Sequence, residues 1–181
     1  MDSSSTPEQK SVANVAVIGL GWWAQGWHLP HLHRNPRANL VGIVDRSPHP
    51  KSNLNPNLES LDALSKKYSV PAYSSLQALL QNTPDLDGII VSTPHSTHSQ
   101  LGEEIYSVGR PIHILMEKPM TTNLQQARRL HELATSHDST FLINHSANYV
   151  AQTKSARENV GIFMTSLRSS SYRFICTVNI S

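Results

Sequence analysis

The chain has 181 residues, of which 38% are hydrophobic and 15% are charged, and its formal net charge is +2. This length is sufficient for one domain, or for one domain and part of another, with a buried core. Because the Lys and Arg residues form no basic block with interleaved aromatic residues, the composition does not favour a nucleic-acid-binding protein.

The amino terminus and the cysteine content bear on the location of the protein. Residues 1–11 are polar and contain no apolar segment, so we expect a flexible tail rather than a signal peptide or a membrane anchor. No apolar run of the chain approaches the ~20 residues needed to span a bilayer. Cys176 is the single cysteine, which excludes a disulfide within the chain and favours a reducing compartment. We therefore expect a cytosolic protein that is not bound to a membrane.

Strand and helix patterns alternate in the first half of the chain. Val12–Ile18 is a short apolar, β-branched run that ends at Gly19, which predicts a buried parallel strand. Gly21–Arg34 predicts a helix, which Pro30 must either start or kink. The next predicted elements are the strand Leu40–Val44, the helix Glu59–Tyr68, the strand Pro71–Tyr73 and the helix Leu76–Gln81.

The same alternation continues in the second half. The predicted elements are the strand Gly88–Ser92, the helix Ser99–Val108 closed by Gly109, the strand Ile112–Met116, a helix from its cap Asn123 to about Ser136, and the strand Thr140–Ile143. Short parallel strands need crossover helices between them, so this order predicts a doubly wound α/β sheet. After about Asn144 the pattern becomes unclear, although residues 150–159 could form one more helix.

A glycine-rich turn follows the first predicted strand. It reads Gly19-Leu20-Gly21-Trp22-Trp23-Ala24, which is the dinucleotide-binding pattern G-x-G-x-x-A. Gly19 permits the tight turn, Gly21 leaves the backbone bare for a pyrophosphate, and Ala24 keeps the helix close to the sheet. Amide groups at the helix start would then face the phosphates. We interpret Trp22 and Trp23 as packing and surface residues, with a contact to the cofactor as the alternative.

An acidic residue stands at the end of the second predicted strand. Asp45 follows Gly19 by 26 residues, near the spacing of about 20 that is typical of dinucleotide-binding units. Its carboxylate would bind a ribose hydroxyl and repel a 2′-phosphate, which favours NAD over NADP. The adjacent Arg46 could have the opposite effect by pairing with that phosphate. The alternative is that Gly19 and Gly21 only shape a turn and that Asp45 is a solvated strand end.

Polar residues follow the fourth predicted strand in the segment Ser92-Thr93-Pro94-His95-Ser96-Thr97-His98. Pro94 prevents the strand from continuing, so Thr93, His95 and His98 could project toward a nicotinamide ribose. The alternative is a capped loop in which both histidines are solvated. Because no Cys or carboxylate joins His95 and His98 in a ligand pattern, we predict no metal site.

The fifth predicted strand is followed by Glu117-Lys118-Pro119. Beside a pyridinium ring, like charge and partial burial would favour the neutral amine of Lys118, which could then take part in proton transfer. The alternative is a surface Lys–Glu pair of little energetic value.

Four segments together resemble the Gfo/Idh/MocA oxidoreductases, the glucose–fructose oxidoreductase and inositol dehydrogenase family. They are GLGWWAQGWHLP (Gly19–Pro30), VGIVDRS (Val41–Ser47), IIVSTPHSTH (Ile89–His98) and MEKPMTTN (Met116–Asn123). The resemblance implies a Rossmann-type domain over residues 12–148 that binds NAD or NADP. It also implies that Lys118 assists proton transfer during hydride transfer, that Glu117 contacts the nicotinamide ribose, and that the substrate is a sugar, cyclitol or related polyol.

The chain departs from the family pattern toward its end. The family's second domain is a large open sheet that covers the active site, often forms the dimer and supplies an Asp-x-x-x-His pair. We find neither that sheet nor that pair after Asn148, and the run 144–149 lacks the family's usual arginine. We therefore expect residues 149–181 to be an interdomain helix and a truncated remnant of the substrate domain, and a homo-oligomer only if the missing sheet is present.

Two functions compete. The first is an NAD(P)-dependent oxidoreductase for a sugar-like substrate that is weakly active or inactive as this chain alone. The second is a dinucleotide-binding module without catalysis, or a partner of a full-length homologue. A methyltransferase-like or other nucleotide enzyme is disfavoured because it leaves Lys118 and Pro119 unexplained.

Overall fold

The computed structural model of the protein describes residues 12–145, which form a six-stranded sheet with helices on both faces. The strands are β1 (Ala13–Ile18), β2 (Ala38–Val44), β3 (Ala72–Tyr73), β4 (Gly88–Val91), β5 (His113–Glu117) and β6 (Phe141–Asn144). Each of the six predicted strands is confirmed, with small differences at the ends.

The helices between the strands are also those that the sequence predicts. They are α1 (Leu29–Arg34), α2 (Leu61–Tyr68), α3 (Leu76–Asn82), α4 (His98–Tyr106) and α5 (Leu124–Ser136). A π-helical turn, Ala24–His28, precedes α1, and a 3₁₀ turn, His95–Thr97, precedes α4. Pro30 lies in the first turn of α1, directly after the π-helical turn.

Polar side chains cap three of these helices. The side chains of Ser60, Ser75 and Asn123 accept hydrogen bonds from the backbone amides three residues ahead, at the starts of α2, α3 and α5. The predicted cap at Asn123 is therefore confirmed. Helix α4 ends at Tyr106, before the predicted end, and Gly109 lies beyond it with a positive φ of 76°.

The sheet order is β3-β2-β1-β4-β5-β6. Strand β1 pairs in parallel with β2 on one side and with β4 on the other, and the β2–β3 and β4–β5 pairs are parallel as well. The chain thus starts at the centre of the sheet, proceeds to one edge, and returns to build the other half. This is the doubly wound α/β arrangement, so the predicted fold class is confirmed.

Side chains that alternate along the central strands divide the core between the two faces of the sheet. In β1, Ala16 and Ile18 belong to one buried cluster and Val17 to the other, and in β2 Val44 and Ile43 divide in the same way. Helices α3, α4 and α5 cover the first face. The π-helical turn, α1 and α2 cover the second face. Each fully buried Leu, Ile or Val contributes about 1.5–3 kcal/mol, which makes this two-sided burial the main stabilising contribution.

Several predictions concern residues that the structure does not describe. The tail 1–11, the remnant 149–181 and Cys176 lie outside residues 12–145. The chain divides into a compact unit of residues 1–143 and a second unit of residues 144–181, of which only Asn144 and His145 are described. The predicted domain end at 148 stays a prediction. Within residues 12–145, every helix is too short or too polar to cross a membrane.

Candidate functional site

Four of the predicted site segments meet at the edge of the sheet that is formed by the carboxyl ends of the strands. They are the glycine turn after β1, Asp45 after β2, Ser92 after β4 and Lys118 after β5. Because all four strands are parallel, their carboxyl ends lie on the same side. Two backbone hydrogen bonds join the turns there: the Gly19 amide donates to Val44 O and the Ser92 amide to Ile18 O, both at 2.8 Å. This edge is where doubly wound sheets bind their ligands.

Gly19 is required by the geometry of the first turn. Its φ is +88°, a conformation that side chains disfavour. A Cβ atom there would lie 2.6 Å from the backbone carbon and oxygen of Ser92 and 2.7 Å from the Thr93 methyl group. The absence of a side chain therefore allows the β1 turn and the β4 loop to pack directly against each other.

Gly21 has the opposite surroundings. A Cβ atom built on it would meet no heavy atom within 4 Å, so the backbone at this position borders open space. The neighbouring Trp22 is 37% exposed. Ala24, by contrast, is completely buried and packs the helix against the sheet. The turn therefore offers bare backbone of the kind that a pyrophosphate can approach.

The Asp45 carboxylate is directed at the glycine turn. Its Oδ2 accepts a hydrogen bond from the Leu20 amide at 2.8 Å, and its Oδ1 accepts one from the Ser47 amide at 2.9 Å. Each carboxylate oxygen can accept a further hydrogen bond, so these contacts are compatible with a ribose hydroxyl. Arg46 is exposed at the same edge.

Gln25 is a residue of this edge that the sequence analysis missed. Its Nε2 donates to Leu20 O at 2.9 Å and to Glu59 O at 3.1 Å, and its Oε1 accepts from the Glu59 amide at 3.0 Å. Gln25 thereby ties the glycine turn to the segment before α2. A glutamine on a helix carries no recognisable signal of such a role.

The two histidines of the loop after β4 differ in their exposure to solvent. His95 and Pro94 are exposed, whereas His98 is completely buried. The His98 ring lies between two loops, with Nδ1 2.9 Å from Pro119 O and Nε2 3.0 Å from Thr93 O. The structure thus places His98 as a link between the β4 and β5 loops, and it places His95 at the surface.

Thr93 contacts the same loop through its side chain. The Thr93 and Thr97 hydroxyl oxygens are 2.7 Å apart, and Thr93 is half-buried. The rings of His95 and His98 meet edge to face, with their centroids 5.7 Å apart. Among residues 12–145, no three His, Cys, Asp or Glu side chains are grouped in a way that could hold a metal ion.

Glu117 and Lys118 have different surroundings although they are adjacent. Glu117 is buried, and its Oε1 accepts hydrogen bonds from Trp23 Nε1 at 2.6 Å and from His28 Nε2 at 2.7 Å. The Lys118 side chain is exposed, and the peptide bond to Pro119 is cis. The contacts of Trp23 and His28 with Glu117 were not predicted, because residues five apart lie on different faces of a regular α-helix.

These features together fit a nicotinamide dinucleotide. The bare backbone at Gly21 suits a pyrophosphate, Asp45 offers a carboxylate to a ribose, and Lys118 offers an exposed amine beyond β5. The β4 and β5 ends lie on the other side of β1 from Asp45, so predicted site residues flank the glycine turn on both sides.

The chain matches one family model over most of its length. That model is the oxidoreductase family GFO_IDH_MocA, described as an NAD-binding Rossmann fold, and residues 13–145 match it. A curated relative is a dehydrogenase of Comamonas testosteroni that acts on 1-carboxy-3-chloro-3,4-dihydroxycyclohexa-1,5-diene. It is 27% identical over 168 residues, which are 91% of this chain and 37% of the relative.

Two solved structures share the fold. The 3-ketoreductase KijD10 of Actinomadura kijaniata, in complex with NADP and TDP-benzene, gives a TM-score of 0.69 with 22% identity over 83% of this chain and 42% of that one. The WlbA dehydrogenase of Chromobacterium violaceum, in complex with NADH and UDP-GlcNAcA, gives a TM-score of 0.73 with 21% identity over 89% of this chain and 43% of that one. This chain therefore spans less than half the length of these proteins.

Proposed function

Because the chain belongs to the Gfo/Idh/MocA oxidoreductase family, we propose that its NAD(P)-binding domain serves hydride transfer to or from a sugar, cyclitol or related polyol or carbonyl. The observation that carries this proposal is the open space at Gly21, with the Asp45 carboxylate bonded to the same turn. A turn that only reverses the chain needs neither feature.

The sheet order supports an orientation for the dinucleotide. Asp45 lies at the end of β2, on one side of the glycine turn, whereas Thr93 and Lys118 lie beyond β4 and β5 on the other side. The pyrophosphate would bind over Gly21, with the adenosine ribose toward Asp45. The nicotinamide half would then lie over the β4 and β5 ends. Ser92, Pro94 and His95, which follow β4, would border this half of the site.

We propose NAD as the preferred cofactor. A carboxylate held at the turn repels a 2′-phosphate, and this supports NAD over NADP. Arg46 is exposed next to Asp45 and could pair with such a phosphate, so NADP binding at lower affinity is part of the proposal. The related structures contain NADP in one case and NADH in the other.

Lys118 is the residue that we propose for proton transfer. The bound dinucleotide would supply the hydride acceptor or donor, and the protein would orient it. The exposed Lys118 amine follows β5 directly, so it can reach a substrate hydroxyl placed next to the nicotinamide half. Proton transfer from that hydroxyl to Nζ, or the reverse in reduction, is the step assigned to this residue.

The isolated 181-residue chain should bind the dinucleotide but turn it over slowly or not at all. It spans 37% to 43% of the length of the relatives described above, so we expect groups that hold the substrate to lie outside it. Without those groups, the substrate is poorly oriented and water is not excluded. Rapid polyol-dependent NADH formation by this chain would contradict the second part of the proposal.

A titration with NADH and NADPH tests the binding. Trp22 and Trp23 follow Gly21 in the chain, so quenching of their emission, or energy transfer to the dihydronicotinamide, should report saturation. Gly21→Val should abolish binding by filling the open space, whereas Gly26→Val, at a second glycine with open surroundings, should not. Saturable binding that survives Gly21→Val, or no binding of either dinucleotide, would refute the proposal.

A further inference from the structure

We propose that Trp23 and His28 are positioning residues that hold the Glu117 carboxylate for the nicotinamide half of the dinucleotide. This inference rests on the proposed function. It assigns a role to the side chains at the two ends of the π-helical turn, neither of which is a residue that the pattern G-x-G-x-x-A requires.

The contacts form one compact cluster. The Trp23 indole N–H and the His28 Nε2–H both donate to a single oxygen, Glu117 Oε1, at 2.6 and 2.7 Å. A carboxylate oxygen can only accept, so the proton of His28 must be on Nε2 in this contact. Both the His28 and the Glu117 side chains are 10% exposed. Two donors on one buried oxygen leave the carboxylate little freedom to rotate.

The π-helical turn is what brings both donors to the same oxygen. In a regular α-helix, residues five apart point about 140° away from each other. Here the Leu29 amide bonds to Ala24 O, five residues back, so this turn is wider than an α-helical one. Trp23 stands immediately before the turn and His28 is its last residue, and residues five apart come onto one face. π-turns of this kind are frequent at functional sites.

The position of Glu117 in the sheet connects the cluster to one half of the cofactor. Glu117 ends β5, two strands from β1 and on the opposite side from Asp45. In the proposed orientation the adenosine half lies toward Asp45, so Glu117 lies on the side of the nicotinamide half. The Lys118 amide lies 3.3 Å from Glu117 Oε2, and fixing the carboxylate therefore also restrains the direction in which Lys118 leaves the strand.

A comparison of two ligands tests this assignment. Calorimetric titration of the full chain with NADH and with ADP-ribose separates the two halves, because ADP-ribose lacks the nicotinamide ring. Trp23→Phe keeps an aromatic ring and removes the indole N–H donor, and His28→Leu removes the second donor. For each variant we expect NADH affinity to fall ~10-fold, as for the loss of one hydrogen bond to a charged group, with ADP-ribose affinity unchanged.

Matched variants separate positioning from a general loss of structure. His28→Gln places an amide N–H near the same point and should restore most of the NADH affinity. Trp27→Phe, the same substitution at a half-exposed position, should change neither ligand's affinity. An equal loss for NADH and ADP-ribose, or no loss for NADH, would overturn the positioning role. If the wild-type chain binds ADP-ribose and NADH equally well, the role is overturned too, whereas no binding of either ligand refutes the proposed function itself.

Discussion

The Asp45 carboxylate accepts a hydrogen bond from the Leu20 amide at 2.8 Å, which joins the acid at the end of β2 to the glycine turn at the end of β1. Asp45 therefore has a structural role in the turn in addition to its proposed contact with the cofactor. It satisfies a backbone donor within the turn and places negative charge at a fixed distance from it. The same contact links cofactor preference to the geometry of the turn, so one substitution should change both.

Asp45→Ala should narrow the preference for NADH over NADPH. The substitution removes the charge that repels a 2′-phosphate, and it leaves the Leu20 amide without its acceptor. We expect NADH affinity to fall ~10-fold, which equals 1.4 kcal/mol, with a smaller change for NADPH. Titration with each dinucleotide measures both affinities.

Asp45→Asn provides the control for charge. Its single side-chain oxygen can still accept from the Leu20 amide, whereas the negative charge is lost. The asparagine variant should therefore narrow the preference while it keeps more of the NADH affinity than the alanine variant. An unchanged preference in both variants would mean that Asp45 does not face the 2′ position.

The two glycines of the turn should respond differently to the same substitution. Gly19→Ala combines a positive φ with a contact of 2.6 Å to the Ser92 backbone, so we expect a loss of at least ~2 kcal/mol in the free energy of unfolding. Gly21→Ala meets no neighbour and should stay within about 0.5 kcal/mol of wild type. Urea unfolding followed by circular dichroism measures both, and equal losses would show that the turn is not packed against the β4 loop.

The fold could be predicted from the sequence because its signals are local. Short β-branched runs bounded by Gly or Pro, helical spacing of apolar residues, and a cap at Asn123 each report on a few consecutive residues. The order of these elements then limits the topology, since parallel strands need crossovers of one hand. The glycine turn and Asp45 could be predicted for the same reason, as they terminate neighbouring strands.

The cluster around Glu117 could not be predicted in this way. The contacts of Trp23 and His28 with Glu117 join residues 94 and 89 positions apart in the chain. They also depend on a π-turn, which has no pattern in the sequence that separates it from an α-helical turn. His98 illustrates the same limit: its position after Pro94 suggests a ligand, but its burial is decided by the β5 loop that packs over it.

His98→Ala should destabilise the domain. The His98 ring is completely buried between Thr93 O and Pro119 O, and alanine would remove both contacts and leave a cavity. We expect a loss of about 2–4 kcal/mol in the free energy of unfolding. His95→Ala, at the exposed neighbour, is the control and should cost less than about 0.5 kcal/mol. Similar small losses for both histidines would show that His98 does not link the loops.

Tyr106 should make stability dependent on pH in the alkaline range. Its hydroxyl and that of Ser139 are both buried and do not reach hydrogen-bonding geometry with each other or with another described residue. Burial raises the pKa of Tyr106 from its ordinary value of 10.0 to about 12, and the nearby Ser139 hydroxyl opposes this shift. The cause is the cost of placing a phenolate among apolar side chains at the end of α4.

The sign of the effect follows from this raised pKa. The unfolded chain releases the Tyr106 proton near pH 10, whereas the folded chain retains it until about pH 12, so the stabilisation is complete below pH 10 and is lost as the pH rises toward 12. Tyr106→Phe should remove this loss, and Ser139→Ala should leave it in place, because it removes the group that lowers the pKa. Urea unfolding at intervals across this range, with tyrosinate absorbance measured in parallel, provides the comparison. The same alkaline loss in Tyr106→Phe as in wild type would assign the effect to another group.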